Sequence, residues 1–175
     1  MRDAGVVVYP TDTSYGIGCD PRIESAVNRL IRIKNRDPAM GLPLLFGDLE
    51  QCQEYHDFQE LELALARLFW PGALTLIVKP TSNVPEYVRG HHESIAVRVP
   101  DHAVPREMAR GIEGPIVGTS ANVSGGPSPF DMETARLQLG DDVDLYIDGG
   151  RSRATANSTI IGVEEGHPAS IKVYR

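Results

Sequence analysis

The apolar positions of this chain switch repeatedly between a period near two and a period near 3.6, and each switch marks an element boundary. GVVVYP (5–10) is a β-branched run closed by Pro10 and predicts a buried strand. The turn-rich PTDTSYGIGCDP (10–21) follows. Ile23, Ala26, Val27, Leu30 and Ile31 then share a helical face. Asp20 is the expected cap, Pro21 the first position, and Pro38 the stop beyond KNR (34–36). LPLLF (42–46) predicts a second strand. Asp57 is expected to open a helix with apolar face Leu61, Ala64, Leu65 and Leu68, ended by WPG (70–72). ALTLIVK (73–79) and SIAVRVP (94–100) read as strands. In the latter, Ile95, Val97 and Val99 share one face, which puts Ser94, Ala96 and Arg98 on the other. A charge inside so apolar a strand needs a partner, because burying it alone is very costly.

Asp101 is the expected cap of a short helix reaching about Ala109, and PIVG (115–118) a strand. Asp131 caps a predicted helix over DMETARLQL (131–139). LYI (145–147), STIIGV (158–163) and SIKVYR (170–175) complete the strands. Strands and helices interleave without a repeat, which implies an α/β fold: a mixed sheet flanked by helices, in one domain over 1–175.

Composition narrows the function classes. A length of 175 residues suffices to bury a core without disulfides. The formal net charge of -7 argues against a protein whose main work is gripping a nucleic-acid backbone, but leaves room for a small basic pocket. Cys19 and Cys52 fit no metal or CxxC spacing and read as free thiols in a reducing compartment. The start of the chain lacks a signal pattern and no apolar run reaches membrane-spanning length, so a cytoplasmic location is expected.

Four stretches hold candidate chemistry. IVGTSANVSGGPSP (116–129) follows a strand and precedes a helix. Its small residues allow backbone amides to approach an anion, with Thr119, Ser120, Asn122 and Ser124 as added donors. It matches neither a Walker loop nor GxGxxG, and from composition alone a plain turn is the favoured reading. Lys34 and Arg36 suit a helix C-terminus or two phosphates. Thr11, Asp12, Thr13 and Tyr15 form either a substrate-positioning loop or an Asx or ST turn. HHE (91–93) lacks metal-ligand spacing. His56, His102 and His167 are expected on the surface, and Asp141, Asp142 and Asp144 in a solvated loop.

Taken together these segments resemble the YrdC-like family of threonylcarbamoyl-AMP synthases, in its short single-domain form. VVVYPTDTSYGIGCDP, IKNRDP, FWPGALTLIV, IAVRVPDH, GPIVGTSANVSGGPSP, and IDGG with STII occur in the family's order along nearly the whole chain. The resemblance implies a twisted α/β fold with a large open cavity. It implies formation of L-threonylcarbamoyladenylate and pyrophosphate from L-threonine, bicarbonate and ATP. A partner enzyme then transfers the threonylcarbamoyl group to a tRNA adenosine beside the anticodon. Mg2+ is expected to arrive with ATP rather than in a protein metal site. Any direct tRNA binding is expected to be weak or indirect, and no membrane is implied.

By motif, the resemblance assigns Thr13, Tyr15, Ser94, Arg98, Thr119 and Ser158 to threonine. It assigns Lys34, Arg36, Ser120, Asn122, Ser128 and Arg175 to ATP, with no metal ligand. Arg98 is expected to find its partner in the threonine carboxylate. Many members carry a second lysine after KxR where this chain has Met40. Two other readings share the fold: a noncatalytic RNA-binding module, which low aromatic content and acidic charge disfavour, and a carbamoyl-transfer domain of hydrogenase maturation.

Overall fold

The computed structural model describes residues 1, 3–164 and 170–175, so His167 lies outside the described residues. In chain order the elements are β1 (Val7–Tyr9), β2 (Gly16–Gly18), α1 (Glu24–Ile33), β3 (Leu44–Leu45), α2 (Leu49–Gln53), β4 (His56–Asp57), α3 (Glu60–Phe69) and β5 (Leu74–Pro80). They continue with α4 (Glu86–Arg89), β6 (Ile95–Arg98), α5 (Ala103–Gly111), β7 (Ile116–Val117), β8 (Thr119–Ser120), α6 (Met132–Leu139), β9 (Leu145–Tyr146), β10 (Thr159–Glu164) and β11 (Ser170–Val173).

Two mixed sheets result. One has the order β8-β2-β1-β9; the other runs β11-β10-β5-β6-β3-β7, with β4 paired to β5. The chain crosses from the larger sheet to the smaller at Gly118, between β7 and β8. The sheets meet there so closely that a side chain has no room. A Cβ on Gly118 would stand 2.1 Å from Leu45, and one on Gly18 would stand 1.9 Å from the Val117 carbonyl. The main core gathers Val6, Val8, Leu30, Leu44, Leu76 and Val97 with their neighbours.

Several expected caps are corrected. Asp20 does not cap α1: its carboxylate accepts from the Arg22 backbone N–H at 2.9 Å and pairs with the Arg22 guanidinium, and the helix begins only at Glu24. That helix is ended not by Pro38 but by Asn35, which sits in the left-handed region (φ 49). The Asn35 N–H donates to the Arg32 carbonyl and the Arg36 N–H to that of Ile31, the two bonds of a Schellman turn. Asp57 lies in β4, and α3 instead starts with a reciprocal capping box between Gln59 and Glu62. The box draws Glu62 inward. The buried stripe of α3 therefore runs through Glu62 and Ala66, while Ala64 and Leu68 face solvent. At α5 the cap is His102, whose Nδ1 accepts from the Val104 N–H, rather than Asp101. Asp131 caps α6 as expected. Asp144 is not merely solvated: it accepts from the Val6 N–H and pairs with Arg29.

His56 is in the core rather than on the surface, with 2% exposure. Its ring packs edge-on against Phe46 and its Nδ1–H donates to the Cys52 carbonyl at 3.2 Å. Nε2 has no hydrogen-bond partner, and burial lowers the pKa from 6.5 to about 4. The folded state therefore resists a proton that the unfolded chain accepts below pH 6.5. Stability should fall as pH drops from 6.5 to about 4, by about 3 kcal/mol from this group. Urea unfolding of the wild type and of His56→Phe checks this: the variant should lose that part of the acid slope. An unchanged slope would contradict the assignment.

Candidate functional site

The cavity rests on one row of side chains across the larger sheet. Ile160 pairs with Thr75, and Leu45 with Arg98; one step along the β5–β6 register places Thr75 opposite Arg98. The alternation that buries Leu76 and Val97 turns this row outward. The row floors a cavity of about 340 Å³, walled by the loop after β1, by β8, by the arm after α1 and by the chain end.

Arg98 is 6% exposed, yet it is not left for a ligand to neutralise. Its Nε donates to the Gly72 carbonyl at 2.8 Å and its Nη1 to Thr13 Oγ1 at 2.9 Å, while Nη2 pairs with the carboxylate of Asp12. The partner demanded by its strand position thus comes from the protein itself. Desolvation pulls the Arg98 pKa down, and Asp12 opposes that. The hydroxyl directions follow. Thr11 Oγ1 donates to the Ser14 carbonyl, so the Thr13 hydroxyl donates to Thr11 Oγ1 and accepts from Arg98. A guanidinium has five N–H donors, and these contacts use three.

The Schellman turn splits the KNR pair. Lys34 turns inward, 1% exposed, and donates from Nζ to the carbonyls of Ser120 and Asn122, the latter at 2.6 Å. It does not line the cavity as expected; it ties down the loop that does. Burial first, then the Arg36 charge, lowers its pKa from 10.5 to about 7. Arg36 does line the cavity, with Nη2 on the Gly41 carbonyl and Nε unpartnered. The Asn122 amide is likewise spent on its own turn, donating to the carbonyls of Val123 and Gly126. The Ala121 N–H donates to the Tyr15 carbonyl, and the Tyr15 N–H to the Pro129 carbonyl, so the loop is stitched to β2 at both ends.

Tyr15 borders the cavity but is fully buried, and its hydroxyl is committed to the Gly150 carbonyl and the Gly149 N–H. Thr119, Ser120, Ser158 and Arg175 reach the lining as expected. Ser158 bonds Thr75 Oγ1 at 2.8 Å, and Arg175 Nε donates to the Ser158 carbonyl. Ser128 sits behind the wall and accepts from Asn157, a lining residue that sequence reasoning missed along with Ser14, Thr75 and Gly118. Ser94 shares the face of Arg98 but lies four residues away, about 13 Å along a strand. It is exposed and borders a second, more open groove with Lys79 and Tyr174. Met40, half exposed, occupies the rim beside Arg36.

Arg36, Arg98 and Arg175 line the cavity, and among the described residues no aspartate or glutamate side chain does. In a chain of net charge -7 this gathers three guanidiniums where several hydroxyl side chains also line the wall. Cys19, the nearest thiol to the β2 wall, is fully buried, and burial pushes its pKa up to about 12, so it is inert as a nucleophile. Among the described residues no three His, Cys, Asp or Glu side chains gather as metal ligands. Three guanidiniums and several hydroxyls make a lining whose chemistry suits a polyanion.

The Sua5/YciO/YrdC family, described as "Telomere recombination", matches residues 1–174. A threonylcarbamoyl-AMP synthase of Chromohalobacter salexigens is 36% identical over 167 residues, covering 95% of this chain and 90% of that protein. P. abyssi Sua5, solved in complex with L-threonine, superposes with a TM-score of 0.90 at 33% identity over 97% of this chain. This chain spans half the length of that one. E. coli YciO superposes with a TM-score of 0.86 at 28% identity, covering 99% of this chain and 84% of its own.

Proposed function

The chain belongs to the Sua5/YciO/YrdC family, and from that premise we propose that its cavity joins L-threonine, bicarbonate and ATP into L-threonylcarbamoyladenylate, releasing pyrophosphate, for the threonylcarbamoyl modification of tRNA. The observation that carries the reading is the lining: three guanidiniums, several hydroxyls and no aspartate or glutamate side chain. The threonine amine attacks CO2 from bicarbonate to give the carbamate. A carbamate oxygen then attacks the α-phosphorus, and the bond to pyrophosphate breaks. Both nucleophiles belong to substrates, which fits a wall without an activated side chain. The protein's part is positioning and charge neutralisation.

Arg98, at the centre of the floor, takes the threonine carboxylate with its two remaining donors. Arg36 and Arg175, the other two guanidiniums of the lining, take the triphosphate. Magnesium enters as part of the MgATP substrate. The product is a mixed anhydride and is passed to a separate enzyme that acylates the adenosine beside the anticodon. No helix among the described residues is long and apolar enough to cross a membrane.

Incubation with ATP, Mg2+, bicarbonate and threonine should release pyrophosphate only when threonine and bicarbonate are both present, with the adenylate detectable by mass spectrometry. Absence of the adenylate would remove this reading. Salt-sensitive RNA binding without turnover would replace it with a noncatalytic module.

A further inference from the structure

Arg98 is the one charged side chain of β6, and its guanidinium is fixed by three contacts from two segments: the Gly72 carbonyl on one side, and the Thr13 hydroxyl and Asp12 carboxylate of the β1–β2 loop on the other. Only the last is charged. Asp12 meets the guanidinium but is not among the residues that line the cavity, and its side chain is 16% exposed. We propose that Asp12 is a positioning residue that locks the guanidinium of Arg98 so that its unused donors face the bound carboxylate. Thr11 and Thr13 extend the lock. Their hydroxyls form a one-way chain from Arg98 Nη1 to the Ser14 carbonyl, which fixes the turn carrying Asp12.

The physical case is one of preorganisation. A lone arginine carries several rotatable bonds, and a ligand that must order them loses affinity in proportion. An ion pair already formed at Nη2 removes that loss before the ligand arrives. It also offsets the burial that pulls charge off Arg98. Asp12 and a substrate carboxylate contact different parts of the same fork, so both are held together rather than exchanged. That distinguishes a positioning carboxylate from a competing one, and the two have opposite signs in experiment. Loss of a positioning carboxylate weakens substrate binding, whereas loss of a competitor strengthens it.

The identity of the carboxylate as threonine rests on the proposed function; the lock itself does not. Two measurements separate them. In ligand-free protein, NMR of the arginine side chains should show hindered Nη rotation for Arg98, lost in Asp12→Ala and reduced in Asp12→Asn. In steady-state assays Asp12→Asn should raise the KM for threonine about tenfold, and leave that for ATP within about twofold. Asp12→Glu, which returns the charge, should recover part of the loss. Free Nη rotation in the wild type, an equal rise in both KM values, or a lower threonine KM in Asp12→Asn overturns the proposal. If the wild type uses no threonine, the functional reading falls and the NMR result still decides the lock.

Discussion

Replacing Arg98 by methionine is expected to cut threonine-dependent kcat/KM by about a hundred- to a thousandfold and to destabilise the fold by about 3–5 kcal/mol. The two losses have different origins. The catalytic loss follows from removing the cation at the centre of the cavity floor, where a carboxylate must be held against desolvation. The stability loss follows from Asp12, whose carboxylate is left without its partner in a turn that is mostly buried. Methionine keeps much of the side-chain volume, so the variant tests charge more than packing. The double variant Asp12→Asn/Arg98→Met removes both charges. It should regain most of the stability and none of the activity, because the unpaired carboxylate is gone and the carboxylate receptor is still missing. Urea unfolding and pyrophosphate release on the same preparations measure both. A double variant as unstable as the single one would show that Asp12 is not the origin of the cost. A single variant with normal threonine KM would remove Arg98 from the site.

The periodicity of the chain disclosed most of the larger sheet. β5 and β6 carry a clear alternation, and the odd residue in that alternation, Arg98, was the most informative position in the sequence. A charge on the non-core face of an apolar strand has few bland explanations. The partner was not legible in the same way, because Asp12 lies 86 positions away. Short strands escaped for a related reason. β2 and β8 are two or three residues of Gly, Ile, Thr and Ser. Nothing local makes them extended, and their state comes from pairing Gly16 with Ser120 and Ile17 with Thr119. The stretch 116–129 thus reads as a turn, although its first half closes a sheet.

Errors at helix starts came from Asp20, Asp57 and Asp101, each a residue type that caps well. Which of several polar residues wins depends on competing partners. Asp20 has a stronger claim from Arg22, and Gln59 has Glu62 to complete a reciprocal pair. The site shows the same limit. Ser94 and Arg98 share a face by period, but a face extends along the strand, and four residues separate two cavities. Lys34 and Arg36 look equivalent in sequence. The left-handed Asn35 between them sends one into the interior and the other into the cavity.

That separation makes Lys34→Met the second large effect expected. Lys34 touches no ligand in this arrangement, yet it holds the carbonyls of Ser120 and Asn122 and thereby sets the stretch of wall at Ser120, while Thr119 is held by its pairing with Ile17. The clamp survives deprotonation, since a neutral amine keeps two N–H donors for two carbonyls. What changes with pH is its cost. The folded pKa of about 7 lies below the ordinary 10.5, so the penalty of a buried charge is full below pH 7. It fades as pH rises toward 10.5, where only the unfolded chain still binds the proton. Wild-type stability should therefore gain about 3 kcal/mol from this group between about pH 7 and about pH 9.5, and Lys34→Met should lack that gain. At neutral pH the variant loses two hydrogen bonds but also the buried charge, and the terms oppose, so its unfolding midpoint should shift little. Its KM for ATP should rise about ten- to a hundredfold while the threonine KM moves far less, because the Asp12–Arg98 lock is untouched. Titration calorimetry with ATP at neutral pH gives the same comparison without turnover. If ATP affinity in Lys34→Met equals that of the wild type, the loop keeps its shape without the clamp. The buried lysine then serves the fold and not the site.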